Sequence, residues 1–277
     1  MAITNLSDSL PSLPENTRVI IVSHDVDWSR KGPGVSHVLA RRDRFDPDVV
    51  ERVTKEGFNP YYGVPRVAEI EEQLNIRSTF FFRPVYDDGS YVDEYKDTMR
   101  ELVRNGWEVG LHVNDPSSVE KLNSEKERVE KAAASSVYGS RIHYLRVADD
   151  TFANLAGAGF KYDSSLSYSK ETIDPRNTNC LIRNGLYIFP ITFMDAYLFT
   201  YMRLTEETLP KFMFNTIEKL FASTARIVTL LWHDNSIMMK GGRIYANMMK
   251  QIASIPKIEF LKGIEAFELV QNLTKAH

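Results

Sequence analysis

The sequence predicts an α/β protein, an irregular (β/α) barrel of about seven parallel strands, in one domain covering residues 1–277. Three observations carry this. Strand-like runs alternate with helical patterns along most of the chain, which calls for parallel strands with right-handed crossovers. The strands read as nearly continuous apolar runs, as expected where both faces of a sheet are covered. The first of them is followed by Ser23-His24-Asp25-Val26-Asp27-Trp28, which has no glycine. It therefore lacks the Gly-rich turn of the open, doubly wound nucleotide folds, which are the alternative architecture.

Residues 18–23 (RVIIVS) are β-branched and nearly all apolar, and form the first strand. Val67, Ile70 and Leu74 stand at helical spacing within 64–74, and residues 78–82 (STFFF) give the second strand. The alternation then continues with a helix over 95–103, a strand over 107–111, a charged-face helix over 119–134 and a strand over 141–145. A helix over 150–156 ends at Gly157 and Gly159, a short strand follows at 160–163 and a clearer one at 186–191. A helix over 206–221, the buried strand 226–232, a helix over 244–252, a strand over 258–261 and a helix over 263–273 close the series. The segment 28–63 is too long for a simple βα connection and is expected to cover the site.

Hydrophobic residues make up 43% of the chain and charged residues 26%, the balance of a globular protein with one large core. No Pro-, Gly- or Ser-rich linker, internal repeat or low-complexity tract divides it. The 37 acidic and 34 basic residues are interspersed for a net charge of -3, which predicts neither a nucleic-acid nor a membrane-surface partner. Cys180 is the sole cysteine, so no disulfide framework is possible. The first 18 residues lack the basic start and apolar run of a secretory signal, and the expected location is cytoplasmic. The apolar stretch 186–202 is broken by Pro190 and Asp195 and reads as core.

Chemistry in such barrels sits at the C-terminal strand ends, where most of the histidines fall. Asp25 and Asp27 are two apart, so on extended chain both carboxylates face one side and His24 the other. Two adjacent carboxylates can divide labour, one held ionised by a cation and one serving as base. Turn formation is the other reading of the pair. His112 ends the strand at 107–111, and a neutral imidazole there suits a zinc-like ion, a hydrogen-bonded core histidine being the alternative. Arg141 and His143 share one strand face, so Arg141 points into whatever cavity His143 faces and can orient Asp25. His143 could equally hydrogen-bond within the barrel wall. His233 emerges from the strand at 226–232 as a candidate general acid or a structural histidine, with Asp234 and Asn235 as loop caps.

These residues resemble the motifs of the polysaccharide deacetylases (carbohydrate esterase family 4). Residues 23–27 (SHDVD) are similar to the first motif in its Asp-x-Asp form, 78–82 to the strand that follows, and 108–112 (EVGLH) to the metal-binding second motif. Residues 139–146 (GSRIHYLR) resemble the third, 162–165 (YDSS) the fourth and 230–233 (LLWH) the fifth. The resemblance runs from about residue 18 to 233. It implies Asp25 as base, Asp27 and His112 as ligands of a divalent ion, zinc being expected, and His233 as acid. Arg141 or Arg146 would hold the base, and Asp163 or Asp195 would tune His233.

The family's second motif usually adds a histidine four residues on, where this chain has Pro116. His143 is the candidate replacement ligand and Asp115 the second. Arg83 leaves the second strand at the expected mouth, either facing substrate or as surface charge. Tyr62, Arg83 and Asp195 are the substrate-side candidates. Arg30, Lys31, Arg41, Arg42 and Arg44 are either solvated charge or recognition of a sugar or anionic carrier. The implied function is metal-dependent removal of an acyl group from an N-acylated sugar. The alternatives are allantoinase-like hydrolysis of another amide and a non-catalytic carbohydrate-binding relative that has lost its metal. The oligomeric state is left open.

Overall fold

The computed structural model describes residues 13–275; most of the N-terminal segment read above for a signal, and His277, lie outside the described residues. The strands are β1 (Val19–Val26), β2 (Thr79–Phe82), β3 (Glu108–Val113), β4 (Gly139–Ile142), β5 (Tyr162–Asp163), β6 (Leu181–Arg183), β7 (Leu186–Ile188), β8 (Phe193–Met194), β9 (Ile227–Leu231) and β10 (Glu259–Leu261). They form one sheet in the order β6-β7-β5-β4-β3-β2-β1-β9-β8, with β10 also on β1. Every ladder is parallel except the β6–β7 hairpin.

One edge of β1 serves two strands in succession. Val19–Ile21 pair with β10 and Ser23–Val26 with β2, while β9 runs along the other edge. Among the described residues no ladder joins β8 to β6. The gap is crossed instead by a bridge between Thr178 and Val228 and by the Asn179 N–H donating to Ile227 O. The barrel is thus curled and incompletely closed, as the irregular architecture implies. The strand count exceeds seven because β6 and β8, only three and two residues long, are too short for periodicity to register.

Side-chain alternation sorts each strand between two environments. On β1, Ile20, Val22 and Val26 join the large core beneath the helices, whereas Val19 and Ile21 join a second cluster with Phe81, Tyr162, Phe189 and Ile227 inside the barrel. Ser23 and Asp25 continue the inner row. His24 stands on the helix side, fully buried, with Nδ1 2.7 Å from Trp232 O and Nε2 2.8 Å from Glu71 Oε1. Glu71, on the helix Val64–Gln73, also accepts from Ser78, Trp107 and Tyr245. Burial raises the affinity of its carboxyl for a proton, but the charge and hydrogen bond of His24, with Ser78 and Trp107, hold it below the usual range.

Two segments depart from the sequence reading. Residues 28–63 fold around their own small core of Val38, Phe45, Val49, Val53 and Tyr61. They contain the helices Val35–Leu39 and Pro47–Glu56. The second was legible in principle, since Asp46-Pro47 is a helix start and Gly57, at φ 68°, is a left-handed stop. The strand expected over 141–145 ends at Ile142. A tight turn follows, with Tyr144 and Leu145 at φ 59° and 54°. The chain therefore leaves the sheet immediately after Ile142.

Candidate active site

The inner rows of four strands end on one cluster. Asp25 lies on β1 with Asp27 just past its end, His112 on β3, Arg141 on β4 with His143 just past its end, and His233 follows β9. All share the inward parity that Val19, Ile21 and Ile227 mark out lower in the barrel. Asp27 Oδ1 lies 3.1 Å from His112 Nε2 and 3.4 Å from His143 Nδ1, and those two nitrogens are 3.1 Å apart. Asp25 Oδ2 is 3.6 Å from His112 Nε2, and His233 Nε2 is 3.6 Å from Asp27 Oδ2.

This donor set fits a divalent cation. His112 Nδ1 lies 2.9 Å from Arg141 O. A carbonyl can only accept, so Nδ1 carries the proton and Nε2 presents a lone pair toward Asp27 and His143. Asp27, His112 and His143 each offer a ligand atom within 4.8 Å of the others. Burial pushes His143 toward its neutral form, only partly opposed by Asp27. His143 Nε2 is buried with no hydrogen-bond partner, so no acceptor fixes a proton on the remote nitrogen. Burial alone would raise Asp27, but its contacts with His112 and His143 and the charge of His233 keep its carboxyl well below the usual range. Three convergent electron-pair donors repel unless a cation or proton stands between them. Their N/O composition suits zinc and its neighbours.

Around this trio the supporting contacts are specific. The Arg141 guanidinium, fully buried, donates to Asp25 Oδ1 at 3.1 Å and to Ser23 Oγ and Ser164 Oγ at 3.0 Å each. Arg146, the other arginine considered, is exposed and lies over the Tyr144 ring, because the turn after Ile142 carries it out of the barrel. His233 Nδ1 is 2.6 Å from Asp195 Oδ1, and its backbone N–H donates to Asp195 Oδ2 at 3.0 Å. Burial works against a charged imidazole, yet Asp195 raises the His233 pKa to about 10.

Asp195 is buried and spends its oxygens on His233, Ser236 and its neighbour's N–H, so it orients the imidazole and has no oxygen aimed at substrate. Asp163 does not touch His233. It accepts from Ser140 and Ser165, and Ser165 Oγ in turn receives the Ile142 N–H. Strand parity explains this, since Tyr162 and Ser164 take the inner face and Asp163 the outer. Burial raises its pKa to about 6.

Of the remaining candidates, Asp115 turns toward solvent in an ion pair with Lys121 and is absent from the cluster. Arg83 is buried, not surface charge. It bonds Asn114, Asp87 and, at 3.5 Å, the Asp27 carbonyl, bracing the loop that carries Asp27. Tyr62 faces away, its hydroxyl on Thr98 in a separate groove between helices. Its neighbour Tyr61 instead lines a cavity of about 580 Å³ with Trp28, His37, Arg41, Arg44, Lys240 and His233. Asp234, expected as a loop cap, is buried and accepts the Gly63 N–H at 3.0 Å. Burial raises its pKa to about 7. Gly63 is required there, because a Cβ would stand 1.9 Å from the Asp234 carbonyl oxygen.

No family profile matches the sequence and no curated protein matches it. Solved structures do. One, assigned as a polysaccharide deacetylase from Mycobacterium smegmatis, superposes at TM-score 0.66 with 18% identity, covering 98% of this chain and 96% of that one. PuuE allantoinase superposes at 0.66 with 12% identity over 94% and 92%. A family 4 pseudoenzyme from Bacillus anthracis gives 0.52 with 13% identity over 92% of this chain and 66% of its own. At these identities the likeness speaks for architecture alone, and the chain shares the polysaccharide-deacetylase fold.

Proposed function

We propose that the protein is a metal-dependent amide hydrolase that removes the acyl group from an N-acylated sugar. The observation that carries this reading is the convergence of Asp27, His112 and His143 on one point, with Asp25 and His233 beside it. Asp27, His112 and His143 would hold the ion. When bound, it supplies a Lewis acid for the acyl carbonyl and makes water more acidic. Asp25, fixed by Arg141, takes the proton from the attacking water. His233 is held as an imidazolium by Asp195 and donates from Nε2 to the departing nitrogen. Water, amide and two proton transfers balance to one carboxylate and one amine. Pro116 does not argue for a non-catalytic relative in this scheme, since His143 offers the donor that Pro116 cannot.

An allantoinase-like reaction is the second reading, favoured by the equal superposition on PuuE allantoinase. It uses the same groups on a different amide. The test for both is Asp25→Asn assayed with bound zinc against N-acetylglucosamine oligomers and allantoin. The variant should bind zinc as the wild type does and lose about 10²–10⁴-fold in kcat. Full activity in Asp25→Asn would overturn the assignment.

A further inference from the structure

The cavity beside His233 has a wall chemistry that the hydrolytic scheme does not use. On one side Trp28, His37 and Tyr61 pack edge-to-face, with ring centroids 5.0 to 5.6 Å apart, and Phe45 braces Tyr61 from behind at 5.9 Å. On the other stand Arg41, Arg44 and Lys240. Backbone contacts tether two of the three: Arg41 donates to His37 O and the Lys240 ammonium to Asp43 O. The Lys240 N–H donates to Arg44 O, which ties the two loops together.

None of these three cations has a carboxylate partner among the described residues. Of the acids nearby, Asp46 and Glu206 both pair with Arg243, Asp195 is held on His233, and the Asp43 carboxylate forms no ion pair with any of the three. A chain of net charge -3 thus places three uncompensated cations around one cavity. Like charges gathered at a site repel, which is tolerable where an anion completes it. At about 580 Å³ the cavity has the size of a small-molecule site, and its rigid aromatic wall suits the C–H face of a sugar ring.

We propose that this cavity binds an anionic substituent, so that the preferred substrate is an N-acylated sugar bearing a carboxylate or a phosphate. Arg41, Arg44 and Lys240 receive the anion, and the Trp28–Tyr61 wall receives the ring next to it. The cavity reaches the cluster through His233, so the scissile amide lies one group away from the charge. The proposal rests on the hydrolase reading for the bond that is cut. The anion site itself is independent of that reading.

The test compares zinc-loaded wild type with the Arg41→Ala/Arg44→Ala variant on N-acetylglucosamine, N-acetylmuramic acid and N-acetylglucosamine 6-phosphate. Both kcat/KM and calorimetric binding are measured for each. We expect the wild type to favour a charged sugar over the neutral one by about 10- to 100-fold, less at high salt, and the double variant to lose that ratio. Which charged sugar wins distinguishes carboxylate from phosphate. Arg44→Gln, at an exposed side chain, should lower the ratio alone and serves if the double variant misfolds. Equal values for all three sugars, or a preference surviving in the variants, overturns the proposal. If no sugar is cleaved but the charged ones bind more tightly through Arg41 and Arg44, the anion site stands and the hydrolase reading falls.

Discussion

His143→Ala separates the ligand role of this residue from any structural one. In the metal-free protein the ring contributes little, since Nε2 has no partner and Nδ1 faces a lone pair of His112. Its chief packing contact is Tyr144, with ring centroids 3.8 Å apart, and Tyr144 is itself exposed. Removing the ring should change metal-free stability by less than about 1 kcal/mol. Zinc binding should respond far more. A four-donor site yields ~10–16 kcal/mol, so one donor accounts for roughly 3 kcal/mol, or about 100-fold in Kd.

Thermal melts would show the difference. With zinc at ~100 times the wild-type Kd, the ion stabilises by about 2.7 kcal/mol. At roughly 2–4 °C per kcal/mol, this raises Tm by about 5–10 °C in a chain of this size. For the variant the same concentration only equals its Kd, leaving about 0.4 kcal/mol and a shift of ~1 °C. Calorimetric titration gives the two Kd values directly. Unchanged affinity in His143→Ala, alongside a loss in Asp27→Asn, would remove His143 from the ligand set.

In metal-free protein followed by NMR, His233 should titrate near pH 10. In Asp195→Asn, where only the charges of Asp27 and Asp25 still oppose burial, the midpoint should fall toward the ordinary histidine range. The raised value means that the His233–Asp195 pair stabilises fully below about pH 6.5 and loses its contribution as pH rises through about 10. An unmoved midpoint would break the pairing. Glu71→Ala strips acceptors from His24, Ser78, Trp107 and Tyr245 at once, and denaturant unfolding should show a loss of about 3–5 kcal/mol or more. A loss under about 1 kcal/mol would mean that those donors find other partners. Gly63→Ala drives a Cβ into the Asp234 carbonyl and should lower Tm by several degrees at about 2–4 °C per kcal/mol. A wild-type melting curve would show that the two loops simply part.

The inward row of each strand was readable from residue numbers alone. Asp25 with Asp27, and Arg141 with His143, stand two apart, and period-two geometry puts each pair on one face of an extended chain. Strand ends were less legible, since His112 lies inside β3 and not after it, and β4 stops before His143. The same parity could have placed Asp163 on the outer face, because Tyr162 and Ser164 take the inner one. The pairing of Tyr61, not Tyr62, with the cavity had no such signal. It follows from how residues 28–63 pack on their own core.

From its sequence the chain determined a parallel barrel, the strands that close on the site, and the residue types that could bind an ion, because apolar periodicity and local chemistry are properties of neighbouring residues. Tertiary structure alone decided that Arg141 and not Arg146 meets Asp25, that Asp195 and not Asp163 meets His233, and that His143 stands beside His112 where Pro116 offers nothing. Each of these choices joins groups between 31 and 116 positions apart. Such contacts depend on the register of separate strands and the turn after each, which no local pattern encodes.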